Sequence, residues 1–299
     1  MSWHLEIRAN GVSGLVHPLI YGHPSPLAFL GWAQAIQRQA WAVGFGPSPA
    51  AAELPDVLAQ VQLAIGVRAC QLRGNAGARL DGRQVPGWTF PRRRSTEQAL
   101  SESGTAMGDD PRLDGHWHLL VDFAPDFQAA LLADPIQCQA FTHWLESQRL
   151  LRPFAGSMPQ ADGTTSVSWI QNRAAEQQAL AACWVMDEVP PAPGQSANLA
   201  DWINGIQASP FRSRARMPTV LGYQLLEAPL ANRRGARQHL RHAYADAIVD
   251  VVGFAARDTP AWPRWRLATR LSHGSQPGWV RATTAPLASA PTASPYDDL

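Results

Sequence analysis

Three segments of the chain alternate apolar with polar residues, and the order in which helices interrupt them restricts the fold more than any other feature. Residues 3–9, 61–69 and 116–123 show this alternation, which is typical of half-buried strands. One helix is predicted between the first two strands and another after the third. The order strand–helix–strand–strand–helix indicates an α+β chain whose body is a ferredoxin-like, RRM-type split βαβ unit.

The first helix has a clear start. Ser25 is a favourable N-cap residue and Pro26 suits the first helical position, so the sequence predicts a helix from there to about Trp41. Gly31, inside this helix, predicts close packing of the helix against another element. The preceding residues 10–24 are rich in Gly and Pro and are expected to form a loop. The second helix is predicted at residues 135–148.

The second and third strands are separated by a long polar stretch. Residues 74–115 are rich in arginine and glycine, which favours an extended β-hairpin, a thumb, that leaves the body. We predict one RNA-binding domain at residues 1–282, with 72–118 as the thumb insertion and 160–212 as a poorly defined helical insertion. Additional helices are expected at 174–182 and 198–207, and additional C-terminal strands at 219–228, 244–254 and 265–268. Residues 283–299 are expected to form a disordered tail.

Charge is segregated along the chain although the net charge is only +1. All 25 basic residues are arginine, the side chain that binds phosphate with two parallel hydrogen bonds and stacks on bases. Segments 68–94 and 212–241 each carry seven arginines and one acid, whereas segment 97–134 carries eight acids and one arginine. The basic segments favour a phosphate-bearing partner. The acidic segment suits a protein partner or a soluble hairpin.

Sequence patterns for catalysis and for cofactor binding are missing. The chain has no phosphate loop, no dinucleotide fingerprint, no H-E-x-x-H and no G-x-S-x-G. Three cysteines without a C-x-x-C pair exclude a disulfide framework and a zinc knuckle. His239 and His242 could share a helix face, as metal ligands can, but no metal site is expected there. His116 and His118 are expected to be an outward-facing pair on one strand. We therefore predict no catalytic residue, no metal and no cofactor.

The N-terminus gives no targeting signal. Residues 1–6 lack a basic segment followed by an apolar one, and no apolar run is long enough to span a bilayer. The sequence predicts a cytoplasmic protein without membrane contact.

The stretch from residue 17 to 38 reads HPLIYGHPSPLAFLGWAQAIQR. It resembles the N-terminal signature of the Csy-two family, RAMP proteins of subtype I-F CRISPR systems. The pattern is matched at Pro18, Leu19, Tyr21, Gly22, Pro24, Ser25, Ala28, Phe29, Gly31, Trp32 and Arg38. Weaker similarity extends over most of residues 3–270. The long first loop and the segment 162–210 depart from the family, which leaves room for a divergent or compact variant.

The resemblance implies a non-enzymatic subunit of an RNA-guided surveillance complex. Such a subunit binds the 5′ handle of the crRNA and caps the filament of backbone subunits. It also contacts a large subunit where one exists and, in compact variants, the protospacer-adjacent motif of double-stranded target DNA. The expected RNA-binding residues are Tyr21, Gly22, His23, Ser25, Arg38, Arg68, Arg73, Trp88, Arg92, Arg93 and Arg94. A DNA or partner contact is expected at Arg233, Arg234 and Arg237.

Elementary chemistry gives partial support for these residues. The loop 21–24 precedes a helix N-terminus, where backbone N–H groups from Ser25 onward can bind an anion. Trp88 lies in the arginine-rich segment and suits base stacking.

Two other functions stay open. One is a metal-independent endoribonuclease that matures precursor crRNA, for which His17, His23, His239 and His242 are eligible acids and bases. The other is a stand-alone module that binds single-stranded RNA.

Overall fold

The computed structural model describes residues 2–13, 15–17, 20–21, 23–51, 53–73, 112–147, 162–188, 215–227, 230, 243–256, 262–270 and 278–284. The strands are β1 (Ser2–Ser13), β2 (Leu15–His17), β3 (Ile20–Tyr21), β4 (Gln62–Arg73), β5 (Arg112–Asp122), β6 (Asp162–Ile170), β7 (Trp184–Glu188), β8 (Ala215–Leu225), β9 (Ala245–Ala256), β10 (Arg266–Arg270) and β11 (Trp279–Thr283). The helices are α1 (Pro26–Ala42), α2 (Leu54–Ala59), α3 (Pro125–Ala133), α4 (Pro135–Ser147) and α5 (Arg173–Leu180). The chain is an α+β protein.

In this part of the chain nine strands form one sheet, in the order β10-β11-β8-β9-β7-β4-β5-β1-β6. All the pairings within it are antiparallel. β1 lies between β5 and β6, with Leu5 opposite Leu119 on one side and opposite Val167 on the other. The remaining two strands, β2 and β3, form a small separate hairpin.

Alternation in β1 and β5 divides the sheet into an apolar and a polar side. Trp3, Leu5 and Ile7 are fully buried, as are Trp117 and Leu119, and they form the main core with residues of α1, α3 and α4. Burying aromatic side chains of this size is a large contribution to folding, on the order of 2–3 kcal/mol each. The apolar side of the sheet is therefore the side that the helices cover.

The C-terminal strands wrap around the first helix. β7 pairs with β4, and β9, β8, β11 and β10 follow in the sheet. Beyond β10 the sheet returns to β4, because Leu63 and Trp265 exchange two backbone hydrogen bonds of 2.9 and 2.7 Å. α1 contacts β4, β8, β10 and β11. One helix thus packs inside a ring of strands, which explains its nine buried residues.

The start of α1 is as predicted, but the surroundings of Gly31 within the helix are not. Ser25 Oγ accepts a hydrogen bond of 3.2 Å from the Ala28 N–H and Pro26 occupies the first turn, so the cap is confirmed. Gly31 lies on the exposed side of the helix, and a Cβ there would meet no described atom within 4 Å. The prediction of close packing at Gly31 is wrong.

Several predicted boundaries also differ from the structure. β1 continues to Ser13 through a bulge between Ala9 and Val12, where Gly11 has a φ of 71°, and β2 and β3 follow it, so residues 10–24 are not simply a loop. Residues 72–73 and 112–118 belong to β4 and β5, which restricts the predicted thumb to residues 74–111, outside the described residues. Gly115 lies within β5, where the indole of Trp117 covers it. A Cβ added at this position would lie 2.0 Å from the nearest atom of the Trp117 ring, which explains why a glycine occupies it.

The described part of the segment 160–212, residues 162–188, is not a helical insertion. It contains β6, α5 and β7, and both strands are integral to the sheet. The β-branched residues Thr164, Thr165 and Val167 favour a strand in β6. The predicted helix at 174–182 agrees with α5, whereas residues 198–207 lie outside the description. Thr283 closes β11 rather than opening a tail, and residues 285–299 are not described.

Among the described helices, none is both long and apolar enough to cross a membrane.

Candidate functional site

The polar side of the sheet carries a cluster of histidines and charged residues. We call the side opposite α1, α3 and α4 the polar sheet face. β1 places His4, Glu6 and Arg8 there, because these positions alternate with the buried Trp3, Leu5 and Ile7. β5 places His116 and His118 there, on either side of the buried Trp117.

One end of the polar sheet face is covered. Leu120, Ala64 and Ile170 form a second apolar cluster with Leu180 of α5 and with Cys183. Gly66 permits this approach, since a Cβ there would lie 2.7 Å from the Leu180 side chain and 3.0 Å from Cys183 Cβ. The residues His4, Glu6, Arg8, His116 and His118, which we call the histidine cluster, lie beyond this covered end.

A hydrogen-bonded ion network closes the covered end further. Arg264 Nη2 donates to both carboxylate oxygens of Glu176 at 2.9 and 3.0 Å, and to Ser2 Oγ at 3.1 Å. Ser2 Oγ also lies 2.6 Å from Asp122 Oδ1. Burial raises the pKa of Asp122, and the Arg264 charge opposes that rise. The network fixes α5 across the ends of β1 and β5.

The histidine cluster itself is tightly connected. His116 Nε2 lies 2.8 Å from Glu6 Oε1, and that same oxygen accepts two hydrogen bonds from Arg8, at 2.8 and 3.1 Å. His118 Nδ1 lies 3.0 Å from His4 Nε2, and the two rings stack with centroids 5.2 Å apart. In the register of the two strands Glu6 lies directly opposite His118 and Arg8 opposite His116. The contacts of His116 with Glu6 and of His118 with His4 therefore run diagonally across the strand pair.

Burial and hydrogen bonding fix the charges of the cluster at neutral pH. The hydrogen bond from Arg8 is the largest influence that lowers the pKa of Glu6, to about 2, and the bond from His116 adds to it. Burial lowers the pKa of His118 to about 4, with the His4 ring as the next cause. Burial also lowers the pKa of His4. The cluster therefore presents an ionised carboxylate at Glu6 and uncharged imidazoles at His4 and His118, the forms in which these groups ligate a cation.

Of the residues predicted from the sequence, Arg68 is the one that the structure places near this cluster. It occupies a bulge in β4, between Val67 and Ala69, and its side chain is exposed. Its positive charge contributes to the lowered pKa of His118. The polar sheet face thus carries an exposed arginine next to its histidines.

The structure places His23 in the core rather than on an RNA-binding surface. The residue is 3% exposed and lies between the rings of Phe29, Trp117 and Phe254. Trp117 Nε1 donates to His23 Nε2 at 2.6 Å, so the ring proton is on Nδ1, which lies 2.7 Å from the Pro24 carbonyl oxygen. Burial lowers the pKa of His23 to about 4. The prediction of an RNA contact at His23 is wrong.

Ser25 and Arg38 lie at different places on α1. Ser25 is buried and its hydroxyl caps the helix, so neither it nor the Ala28 N–H is available to an anion. The expected RNA contact at Ser25 is therefore replaced by a cap. Arg38 is exposed on the helix surface and stays a candidate.

The remaining candidates have partial or no description. Tyr21 pairs with Leu15 in the small hairpin and Arg73 pairs with Arg112 at the end of β4, with the backbone alone described for both. The other candidates lie outside the described residues: Gly22, Trp88, Arg92, Arg93, Arg94, Arg233, Arg234 and Arg237.

Sequence reasoning missed the residues that the structure brings together. His4 and Glu6 carried no motif, and His116 and His118 were interpreted as an outward-facing pair. The alternation in β1 and β5 assigned each residue to a face of its own strand. Only the pairing of these two strands shows that their polar residues lie next to each other.

Three residues of this cluster could hold a metal ion. Each of Glu6, His116 and His118 offers one ligand atom, and these atoms lie within 4.8 Å of one another. Two imidazoles and one carboxylate form a ligand set that transition metals accept.

No family model matches the chain, and no curated protein sequence is significantly similar to it.

Proposed function

We propose that this protein is a non-enzymatic, guide-RNA-binding subunit of a subtype I-F CRISPR surveillance complex. In this role it binds the 5′ handle of the crRNA and caps the filament of backbone subunits. Its contribution is positional, because phosphate contacts fix the register of the guide while base pairing reads the target.

The proposal rests on the position of the arginine-rich segment, which connects two paired strands at one end of the sheet. β4 and β5 remain paired up to Arg73 and Arg112, so residues 74–111 are an insertion in a hairpin at one end of the sheet. This segment contains Arg92, Arg93 and Arg94. The first part of the segment, residues 74–94, carries five arginines and one acid. A basic stretch of this kind, anchored at a sheet end, suits a thumb that closes over RNA.

Strand order supports the same function. The strands β6-β1-β5-β4 are adjacent in the sheet, and along the chain helices lie between them in the order β1-α1-α2-β4-β5-α3-α4-β6. This order supports the proposed ferredoxin-like, RRM-type split βαβ unit. In RRM domains the sheet face opposite the helices binds single-stranded RNA by stacking bases on aromatic side chains.

The polar sheet face offers groups of this kind. The half-buried rings of His4 and His116 and the exposed guanidinium groups of Arg8 and Arg68 can stack on bases or pair with phosphates. The proposed partners are the crRNA 5′ handle, the filament subunits, a large subunit where present and double-stranded target DNA.

The test is co-expression with a CRISPR array and the neighbouring genes, followed by purification and sequencing of any bound RNA. We expect uniform guide RNAs in a multisubunit particle, and loss or weakening of RNA recovery on replacing Arg92, Arg93 and Arg94 with alanine. The matched control replaces the same three residues with lysine, which keeps the charge but not the planar guanidinium. Purification of the protein alone, without RNA of defined length, would refute the proposal.

A second candidate function is favoured by the histidine cluster. A metal-independent endoribonuclease needs a general acid and a general base within reach of one phosphate, and His116 and His118 have ring centroids 4.9 Å apart. Incubation with precursor crRNA in a chelator distinguishes the two functions. Cleavage that is lost in His118→Gln would favour the nuclease, whereas intact RNA that stays bound would favour the structural subunit.

A further inference from the structure

The histidine cluster combines ligands from two paired strands. His116 and His118 are two residues apart in β5 and share a face, and Glu6 of β1 lies directly opposite His118. Side chains on paired strands are held by the backbone ladder, so their ligand atoms stay close together without a bound ion. The three ligand atoms lie within 4.8 Å of one another.

His118 gives the second, independent observation. Its side chain is 6% exposed, yet its Nε2 has no hydrogen-bond partner in the part of the chain that the structure describes. Leaving a buried ring nitrogen without a partner is unfavourable, because the nitrogen has lost its hydrogen bond to water and gained none in return. Its other nitrogen, Nδ1, lies 3.0 Å from His4 Nε2, and His4 Nδ1 in turn lies 3.3 Å from Ser168 Oγ. Such an outer contact commonly orients a metal-ligating histidine.

We propose that Glu6, His116 and His118 form a binding site for one divalent transition-metal cation, of which Zn²⁺ is the representative. Two imidazole nitrogens and a carboxylate exclude Mg²⁺ and Ca²⁺ as preferred ions, because these take oxygen ligands almost exclusively. Three protein ligands leave at least one coordination position for water or a phosphate oxygen. The site does not depend on the proposed RNA-binding function.

Binding requires two rearrangements within the cluster. His116 Nε2 now lies 2.8 Å from Glu6 Oε1 and donates a hydrogen bond to that carboxylate oxygen, so the proton must leave Nε2 before this nitrogen can ligate an ion. Arg8, which donates to the same oxygen, must move away, and its 63% exposed side chain has solvent into which it can turn. Arg8 and the nearby Arg68 repel a cation, so they lower the affinity of the site without removing any ligand.

The test is a metal titration of the purified full-length protein. A tag without histidine is used, and the protein is first treated with a chelator. Co²⁺ is added while the visible d–d absorption is recorded, and Zn²⁺ binding is measured by calorimetry.

We expect one equivalent of each metal to bind at the cluster, with Zn²⁺ displacing Co²⁺. His116→Gln and Glu6→Gln should each weaken binding at least tenfold. His143→Gln, an exposed histidine of α4 outside the cluster, should not change it.

Arg8→Gln separates a cation site from a cluster that is merely hydrogen-bonded. Removing the competing guanidinium should increase the affinity for Co²⁺ severalfold. Absence of one-equivalent binding by the wild-type protein overturns the proposal, and that result needs no variant to fold. Binding that survives both His116→Gln and Glu6→Gln, in variants with an unchanged circular dichroism spectrum, overturns it as well. A thiolate charge-transfer band would assign the metal to a cysteine instead, with the same consequence.

Discussion

Acid should destabilise this fold through a single buried imidazole. His23 is 3% exposed and is held uncharged by its surroundings, with Nε2 accepting from Trp117 and Nδ1 donating to the Pro24 carbonyl. Protonation would place a charge among aromatic rings and would turn the Nε2 acceptor into a donor that faces another donor. The folded state therefore resists protonation of His23, whereas the unfolded chain does not.

The size of the effect follows from the two pKa values. Burial lowers the pKa of His23 from 6.5 to about 4. The unfolded chain therefore binds the proton first as the pH falls. The stabilisation by neutral His23 is fully present above pH 6.5 and is lost as the pH falls to about 4. Between pH 7.5 and 4.5 the free energy of unfolding should decrease by about 2–3 kcal/mol through this residue.

Urea unfolding at a series of pH values measures this decrease. The wild-type protein and His23→Gln are compared, since glutamine keeps an acceptor for the Trp117 N–H but does not titrate. His118 also titrates with a lowered pKa, so both proteins lose some stability in acid. The variant should lose about 2–3 kcal/mol less than the wild type over the same range. His143→Gln, exposed on α4, is the matched control and should behave as the wild type.

Two results would refute the reasoning. One is an equal loss of stability in the wild type and in His23→Gln. The other is a wild-type nuclear magnetic resonance titration in which the His23 ring protonates near pH 6.5. This second measurement uses the unmodified chain, so it stands even where the variant folds poorly.

Three further predictions concern stability and can be checked by the same unfolding measurement. Gly115→Ala should destabilise the protein by about 1–3 kcal/mol, because its methyl group would press on the buried Trp117 ring. Gly31→Ala should instead stabilise it by about 0.5–1 kcal/mol, because the position is helical and open; a loss of stability there would show an unseen contact. Arg264→Met should cost about 3 kcal/mol, because Glu176 would be left as an uncompensated buried charge.

Local patterns in the sequence were sufficient for the first half of the body. Alternation in residues 3–9 and 116–123 assigned the correct face to every residue, and Ser25 with Pro26 fixed the start of α1. These features depend on neighbours in the chain. Gly31 shows the limit, since a glycine in a helix is compatible with close packing or with open solvent and only the tertiary structure decides.

Long-range pairing could not be predicted in the same way. Glu6 and His118 are separated by most of the N-terminal half of the chain, and neither carries a local signal of the other. His23 was misassigned for a related reason, because its neighbours Gly22 and Pro24 are typical of a surface loop while its actual partner is Trp117. β6 was missed because its serines and threonines do not form an apolar stripe, although β1 requires a partner on that side.

The pairing of Leu63 with Trp265 has a consequence for synthesis of the chain. Roughly 200 residues separate the two, and a ribosome needs on the order of 10–40 s to add them. During that interval β8 is completed only late and β10 and β11 do not yet exist, so the side of α1 that these strands cover is exposed to water. A nascent chain of this protein must keep an apolar helix surface from aggregating until its last strands emerge. We expect chains that terminate before Trp265 to require a chaperone for solubility.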